Sequence, residues 1–388
     1  MILKYKSILF LVIAFAMAGM FVSCSDDDAV GEPRIDYVRV TTPESSDSLL
    51  VAAYQGSTIA IMGQNLQGAR EIWFNDQKGA LSPTMITNTT IITQVPNTIP
   101  EEVNHKLVLV FGDGSTLEHN FEVAVNEPVV SRLVNEYALP GETVLIRGNY
   151  FYEPVTVTFS GGVAAEVLSV NDDNTIIEVV VPEGAERGPV TVASNFGETE
   201  SGFWYMDNRN IIASFDVPMV TNERGVWHGP AYIVASDPVI PNINGKFIRI
   251  NQQLGAWAWF EMYVGEGSGD IGQETRNIPA DAIANPDDYV LKFEVNTLAP
   301  LTGANIRMYM GADMPGERND ISYNWTPNLH TQGQWETVSI PFNEFLQANN
   351  NFGYSDTGYD VSFHFSGPNP VNANFGLDNI RVVPVAAE

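Results

Sequence analysis

The sequence predicts an all-β protein, and three observations predict it. Short runs of β-branched and aromatic residues, such as 156–159, 176–181 and 247–250, recur between Gly, Pro, Asn and Asp. Helical periodicity is scarce, and only 279–284 and 342–348 read as short helices. A strand-like pattern also returns at a fixed spacing, so related units follow one another along the chain. The 388 residues are 44 % hydrophobic and carry 19 basic against 47 acidic residues, which is globular rather than disordered material with a strongly negative surface. Such a surface repels nucleic acid and anionic headgroups, and leaves neutral polymers as partners.

The chain opens with Lys4 and Lys6, an apolar run from Ile8 to Met20, and the small-residue stretch Phe21-Val22-Ser23-Cys24. That is the layout of a secretory signal. Cys24 is the single cysteine, so no disulfide within the chain stabilises the fold. The stretch resembles a bacterial lipoprotein signal, in which the cysteine becomes the lipidated first residue. Ser25-Asp26-Asp27-Asp28 after it resembles the surface-export signal of Bacteroidetes lipoproteins. An ordinary signal peptide or an N-terminal membrane helix is the alternative, although the apolar run is short of the ~20 residues a span needs. Loss of residues 1–23 removes two lysines and leaves a net charge near −30 on two to three domains. Residues 24–32 read as an acidic tether.

The repeat lies next. Gly56-Ser57-Thr58-Ile59-Ala60-Ile61-Met62-Gly63 matches Gly141-Glu142-Thr143-Val144-Leu145-Ile146-Arg147-Gly148 at an offset of 85 residues. Thr90-Ile91-Ile92 matches Thr175-Ile176-Ile177, and Phe111-Gly112 matches Phe196-Gly197, at the same offset. Two domains follow, 33–126 and 127–206. In each motif the alternating Ile or Val residues suit a strand with one buried face, and the flanking glycines suit tight turns. The second copy continues Asn149-Tyr150-Phe151, then Val155 to Phe159 and Gly161-Gly162. This resembles the IPT/TIG family of immunoglobulin-like β-sandwiches; the first copy carries Leu66 in place of the phenylalanine. The resemblance implies spacer or interaction modules.

Residues 207–388 differ. Five of the seven tryptophans lie here: Trp227, Trp257, Trp259, Trp325 and Trp335. Spacing and punctuation predict a larger β-sandwich of jelly-roll type. The run 255–263 reads as one strand, with Trp257, Trp259 and Glu261 on one face and Phe260 and Met262 on the other. Two tryptophans beside an acid form a platform: a flat indole covers the C–H face of a sugar, and a carboxylate accepts hydrogen bonds from hydroxyls. Trp227, between glycines, and Trp325, in Ser322-Tyr323-Asn324-Trp325-Thr326-Pro327, sit in loop-like surroundings that favour recognition, with Tyr323 alongside. Each of these aromatics has a core-packing alternative. Trp335 opens an alternating stretch and is assigned to the core. Trp73 and Trp204 lie in strand-like apolar runs, so the first two domains lack loop tryptophans.

Signals for catalysis are missing. The histidines His105, His119, His228, His330 and His364 show no zinc spacing, no Gly-x-Ser-x-Gly is present, and no Glu-x-Asp-x-x-Glu strand appears. Carboxylate pairs from distant loops are left open.

Gly333-Gln334-Trp335-Glu336-Thr337-Val338-Ser339-Ile340-Pro341-Phe342 and Phe375-Gly376-Leu377-Asp378-Asn379-Ile380-Arg381 resemble motifs of carbohydrate-binding β-sandwich modules. With the lipoprotein signal and the tandem repeat, the chain resembles the surface glycan-binding lipoproteins of Bacteroidetes polysaccharide-utilisation loci. The resemblance implies a non-catalytic, cofactor-free protein lipid-anchored to the outer membrane at the cell surface. Its last domain is expected to capture a neutral β-glucan such as xyloglucan or mixed-linkage glucan. The expected partners are surface glycoside hydrolases and a TonB-dependent importer. A protein-binding adhesin or assembly scaffold is the alternative. Some modules of this kind hold calcium through residues matching Asp378 and Asp216; two oxygen donors fall short of the 6–8 calcium takes, so Asp378 is read as solvated or hydrogen-bonding.

Overall fold

The repeated motif forms the same strand twice. Thr58–Gln64 buries Ile59 and Ile61, and Thr143–Asn149 buries Val144 and Ile146. The computed structural model describes residues 31–45, 47–216, 226–228, 230–265 and 274–385. Cys24 and the acidic run after it lie outside the described residues. Gly56 and Gly141 take φ of 74° and 85°, as the expected turns require. Gly63 and Gly148 correct that expectation, because they make no turn. A Cβ on Gly63 would sit 2.1 Å from the Arg34 carbonyl oxygen, and one on Gly148 would sit 1.8 Å from that of Val129. Each faces an irregularity in the partner strand, where two backbones press together. Leu66 and Phe151 are both fully buried beside these glycines, so they fill equivalent places in the two cores.

In the first sandwich, Arg34–Val40, Thr58–Gln64 and Thr90–Gln94 face a sheet ordered Gln77–Gly79, Ala69–Phe74, Lys106–Phe111, Thr116–Asn120. The second pairs Val129–Leu133, Thr143–Asn149, Ile176–Val180 and Glu166–Val170 against Val163–Ala164, Thr156–Phe159, Gly188–Ser194 and Gly197–Tyr205. Each has its own apolar core. A first compact unit ends at Val125 and a second begins at Asn126, so the second sandwich and the third region belong to one unit.

The third region is a larger sandwich. Its back sheet is ordered Ile233–Val234, Phe247–Leu254, Val371–Pro384, Tyr289–Thr297, Trp335–Pro341, with Ile211–Ala213 also on Val371–Pro384. Its front sheet is ordered Val226–His228, Phe260–Gly265, Asp360–Phe365, Ile306–Gly311, Tyr323–Trp325. The two expected helices are present as Ala280–Ala284 and Phe342–Ala348. Leu291, Phe293 and Val295 point from the back sheet into the core, against Ile306, Met308 and Phe363 of the front sheet.

Alternation then sends Lys292 and Glu294 out of the back sheet, toward the second sandwich. Glu136 there accepts from Lys292 Nζ at 2.5 Å and from Arg381 Nη2 at 2.6 Å. The same Arg381 nitrogen reaches Glu294 at 2.8 Å, and Thr337 Oγ1 donates to Glu294 at 2.7 Å. The backbone joins in: Thr337 N donates to the Val134 carbonyl at 2.8 Å. Tyr137 packs with Ile240, Ile243, Phe247 and Trp335 in a small cluster beside the ions. Trp335 is therefore buried, as expected, but on the outer side of the sheet, with Nε1 donating to the Pro241 carbonyl at 2.7 Å. This joint covers the back of the last sandwich and leaves the outer face of the front sheet for other work.

Candidate functional site

The front sheet is built from alternating strands, and their register sorts the side chains by face. Trp325, Ile306, Phe365 and Phe260 form one row across it. Those four pack against the core. The next row, Asn324, Arg307, His364 and Glu261, faces outward. Over this polar row runs the segment 313–322, whose Arg318 is held on all sides. Arg318 Nε donates to Ser362 Oγ at 2.9 Å, Nη1 to the Pro315 carbonyl at 3.2 Å, and Nη2 pairs with Glu261. Asn319 Oδ1 lies 3.1 Å from His364 Nε2, and Arg307 Nη1 donates to the Asn319 carbonyl at 3.2 Å.

Trp259 rests on this polar bed. Its indole stacks on the His364 ring at 4.3 Å between centroids, with the Arg318 guanidinium 5.0 Å from its centre. Burial, with Arg318 and Arg307 close by, pushes the His364 pKa down to about 3, so the imidazole is neutral beneath the indole. Trp259 remains 40 % exposed and Trp257 67 %. Around them stand amide groups: Asn305 Nδ2 donates to Asn324 Oδ1 at 3.1 Å, and Asn369 borders the same hollow as Asn305 and Ser366.

The expected single strand 255–263 is two pieces. Phe247–Leu254 ends, a turn intervenes, and pairing resumes at Phe260. Trp257 sits in that turn at φ 59°, its N–H donating to the Gly367 carbonyl at 2.6 Å. Gly255 and Ala256 favour the break, having little side chain to pack on a pleated surface. Trp257 and Trp259 are thus both exposed, but Trp257 lies in a turn and does not share a strand face with Trp259 and Glu261. Trp325 is likewise on a strand, Tyr323–Trp325, and not in a loop. It turns inward, edge-on to Phe293 at 4.9 Å, and Tyr323 turns inward toward Phe345. Both are half-buried at the sheet edge, across the sheet from Trp259. Trp227 lies on the strand Val226–His228 at the other edge; its side chain is outside the described residues.

The sequence assigns His364, Arg307, Arg318 and Asn324 no place in this site. The alternation Asp360-Val361-Ser362-Phe363-His364-Phe365 carries a signal for His364, since it opposes three core residues. Arg318, in an irregular segment, offers none. Asp378 is fully buried rather than solvated: Oδ1 accepts from Asn379 N at 2.7 Å, and Oδ2 has no partner among the described residues. Burial, with Asp216 and Glu294 nearby, holds its carboxyl well above the usual range. No group of three or more His, Cys, Asp or Glu able to hold a metal occurs among the described residues.

Residues 205–384 match the family described as the surface glycan-binding protein B xyloglucan-binding domain. An IPT/TIG domain-containing protein of Bacteroides ovatus is 30 % identical over 146 residues, which are 36 % of this chain and 29 % of that protein. Among solved structures, surface glycan-binding protein PbSGBP-B from Prevotella bryantii aligns at TM-score 0.70 and 24 % identity, over 91 % of this chain and 99 % of its own. SGBP-B from a complex xyloglucan utilization locus in Bacteroides uniformis aligns at TM-score 0.51 and 19 % identity, over 91 % and 100 %. The third region is thus similar in sequence to the xyloglucan-binding domains of surface glycan-binding proteins B, and the chain that carries it shares their fold.

Proposed function

We propose that this protein captures a neutral β-glucan of the xyloglucan class at the cell surface and performs no chemistry on it. The observation that carries the reading is two exposed tryptophans within the matched region, Trp259 stacked on the polar outer row of the front sheet and Trp257 in the turn just before it. Stacked rings and flanking amides recognise a pyranose chain by its C–H faces and its hydroxyls. The carboxylate of Glu261 has its role through Arg318: it fixes the guanidinium beside the indole. Half-covered rings contribute modestly, so an affinity of order 10 μM to 1 mM follows after ordering costs. The N-terminal sequence supports lipid attachment at Cys24 and surface display, with glycoside hydrolases and an importer as consumers of the captured glycan.

Native gels cast with a panel of soluble polysaccharides test this. Retardation in xyloglucan or mixed-linkage glucan is expected, and should be lost in the Trp257→Ala/Trp259→Ala double variant. Free migration in every neutral glycan rejects the reading.

A further inference from the structure

The second sandwich carries aromatic side chains on its surface that its core does not need. Phe151 is fully buried and pins the loop 149–154 to that core. Its neighbours on either side lie outside that core, Tyr150 exposed and Tyr152 half-buried, with Tyr152 N donating to the Tyr150 carbonyl at 2.9 Å across the pinned residue. The Tyr150 and Tyr152 rings are 6.2 Å apart, and Phe196 meets Tyr152 edge-on at 5.9 Å. The three rings make a continuous row. Tyr150 is 38 % exposed and sits at φ 61°. A bulky residue in the left-handed region is strained, and a glycine there would not be. Among the described residues, three Phe, Tyr or Trp side chains stand on such backbone: Tyr150, Phe215 and Trp257. Phe215 is buried; Tyr150 and Trp257 both hold a ring toward water. Exposed Asn149, Glu153 and Asn195 adjoin the rings along the chain, and the turn that carries exposed Asp172 and Asp173 is tied to the same loop, its Asn174 carbonyl accepting from Phe151 N at 3.0 Å.

We infer that Tyr150, Tyr152 and Phe196 form a second contact for the same neutral polysaccharide, separate from the tryptophan pair. The inference rests on the capture reading above. The chemistry is the same, rings for C–H faces and carboxylates and amides for hydroxyls, and the acids around the row disfavour any anionic chain. A long polymer held at the tryptophans meets the second contact at high effective concentration, whereas a short oligosaccharide occupies one contact at a time.

The test uses the mature chain, with soluble xyloglucan as the polymer and a xylogluco-oligosaccharide as the short ligand. The variants are Tyr150→Gly/Tyr152→Ser and, as reference, Trp257→Ala/Trp259→Ala. The tyrosine variant should bind the oligosaccharide like wild type, bind the polymer roughly threefold to tenfold more weakly, and melt no lower, because glycine relieves the strain at φ 61°. Unchanged polymer binding overturns the inference, as does a tyrosine-dependent protein interaction without any effect on polymer. Should the double variant melt lower, Tyr150→Gly alone is judged by the same change in polymer binding. Wild type that holds no xyloglucan overturns the capture reading and this inference together. Loss confined to the tryptophan variant overturns the second contact alone.

Discussion

Trp257 and Trp259 differ in what holds them, and their variants should differ accordingly. Trp257 meets its surroundings chiefly through its backbone, so Trp257→Ala should weaken glycan binding about tenfold while moving the melting temperature little. Titration calorimetry beside a thermal melt checks both halves. Trp259 depends on His364, and His364→Ala should weaken binding through a displaced indole without removing any atom the ligand touches. The same histidine sets an acid dependence. Its folded pKa of about 3 lies below the unfolded value of 6.5, so the stability it contributes is present above pH 6.5 and is lost as pH falls toward 3. Asp378 acts oppositely. Its pKa is raised in the folded state, so its contribution is full below the unfolded value near 3.8 and is lost as pH rises through the folded one. At pH 7 the buried carboxyl is a cost, and Asp378→Asn, which keeps the acceptor for Asn379 N, should leave the protein as stable or more so in urea melts. A lower stability, together with stabilisation of the wild type by added calcium, would reveal a cation bound there instead.

At the level of strands, alternation explains both what the sequence reveals and what it hides. The sequence marks Trp335 as buried, but the alternation of Thr337-Val338-Ser339-Ile340 after it sets it on the face opposite Val338 and Ile340, where Tyr137 and Phe247 cover it. Trp335→Ala should cost about 3–5 kcal/mol in equilibrium unfolding, since the indole is 4 % exposed and its Nε1 bond to Pro241 is lost as well. The repeat is legible for a similar reason: Gly63 and Gly148 are demanded by backbone contact, and no other residue fits. The platform is only half legible. Hydrophobic periodicity reads a turn between two strands as more strand when the turn carries aromatics, and that is what 255–259 does. The inward turn of Trp325 and Tyr323 is invisible because their face is set by pairing with Ile306–Gly311, not by local composition. Glu136 is beyond reach for the same kind of reason, since its partner Arg381 lies 245 residues away.

For the whole molecule, that distant pairing decides which fragment is a working piece. From the sequence alone, residues 207–388 look sufficient for binding, because the tryptophans are there. In the structure, a cut at 207 removes Glu136 from Lys292 and Arg381, leaving two cations, Glu294 and the outer side of Trp335 without their cover. Removing one partner while the others stay buried, as in Glu136→Gln, costs up to about 3–5 kcal/mol; after the cut the cations regain water, and what the fragment loses is the ion pairs and the apolar cover over Trp335. A fragment 126–388 keeps the cluster whole. It should melt in one cooperative transition and bind a short xylogluco-oligosaccharide like the mature chain. Fragment 207–388 should melt well below it, and should approach the same affinity only where it is still folded, because the front sheet faces away from the joint. Glu136→Gln in the longer fragment should fall between the two. Scanning calorimetry on the three proteins, with titrations run well below each transition, measures both quantities. Equal melting temperatures for 126–388 and 207–388 would show that the buried ions contribute no net stability, and that the second sandwich is carried along by the third domain without supporting it.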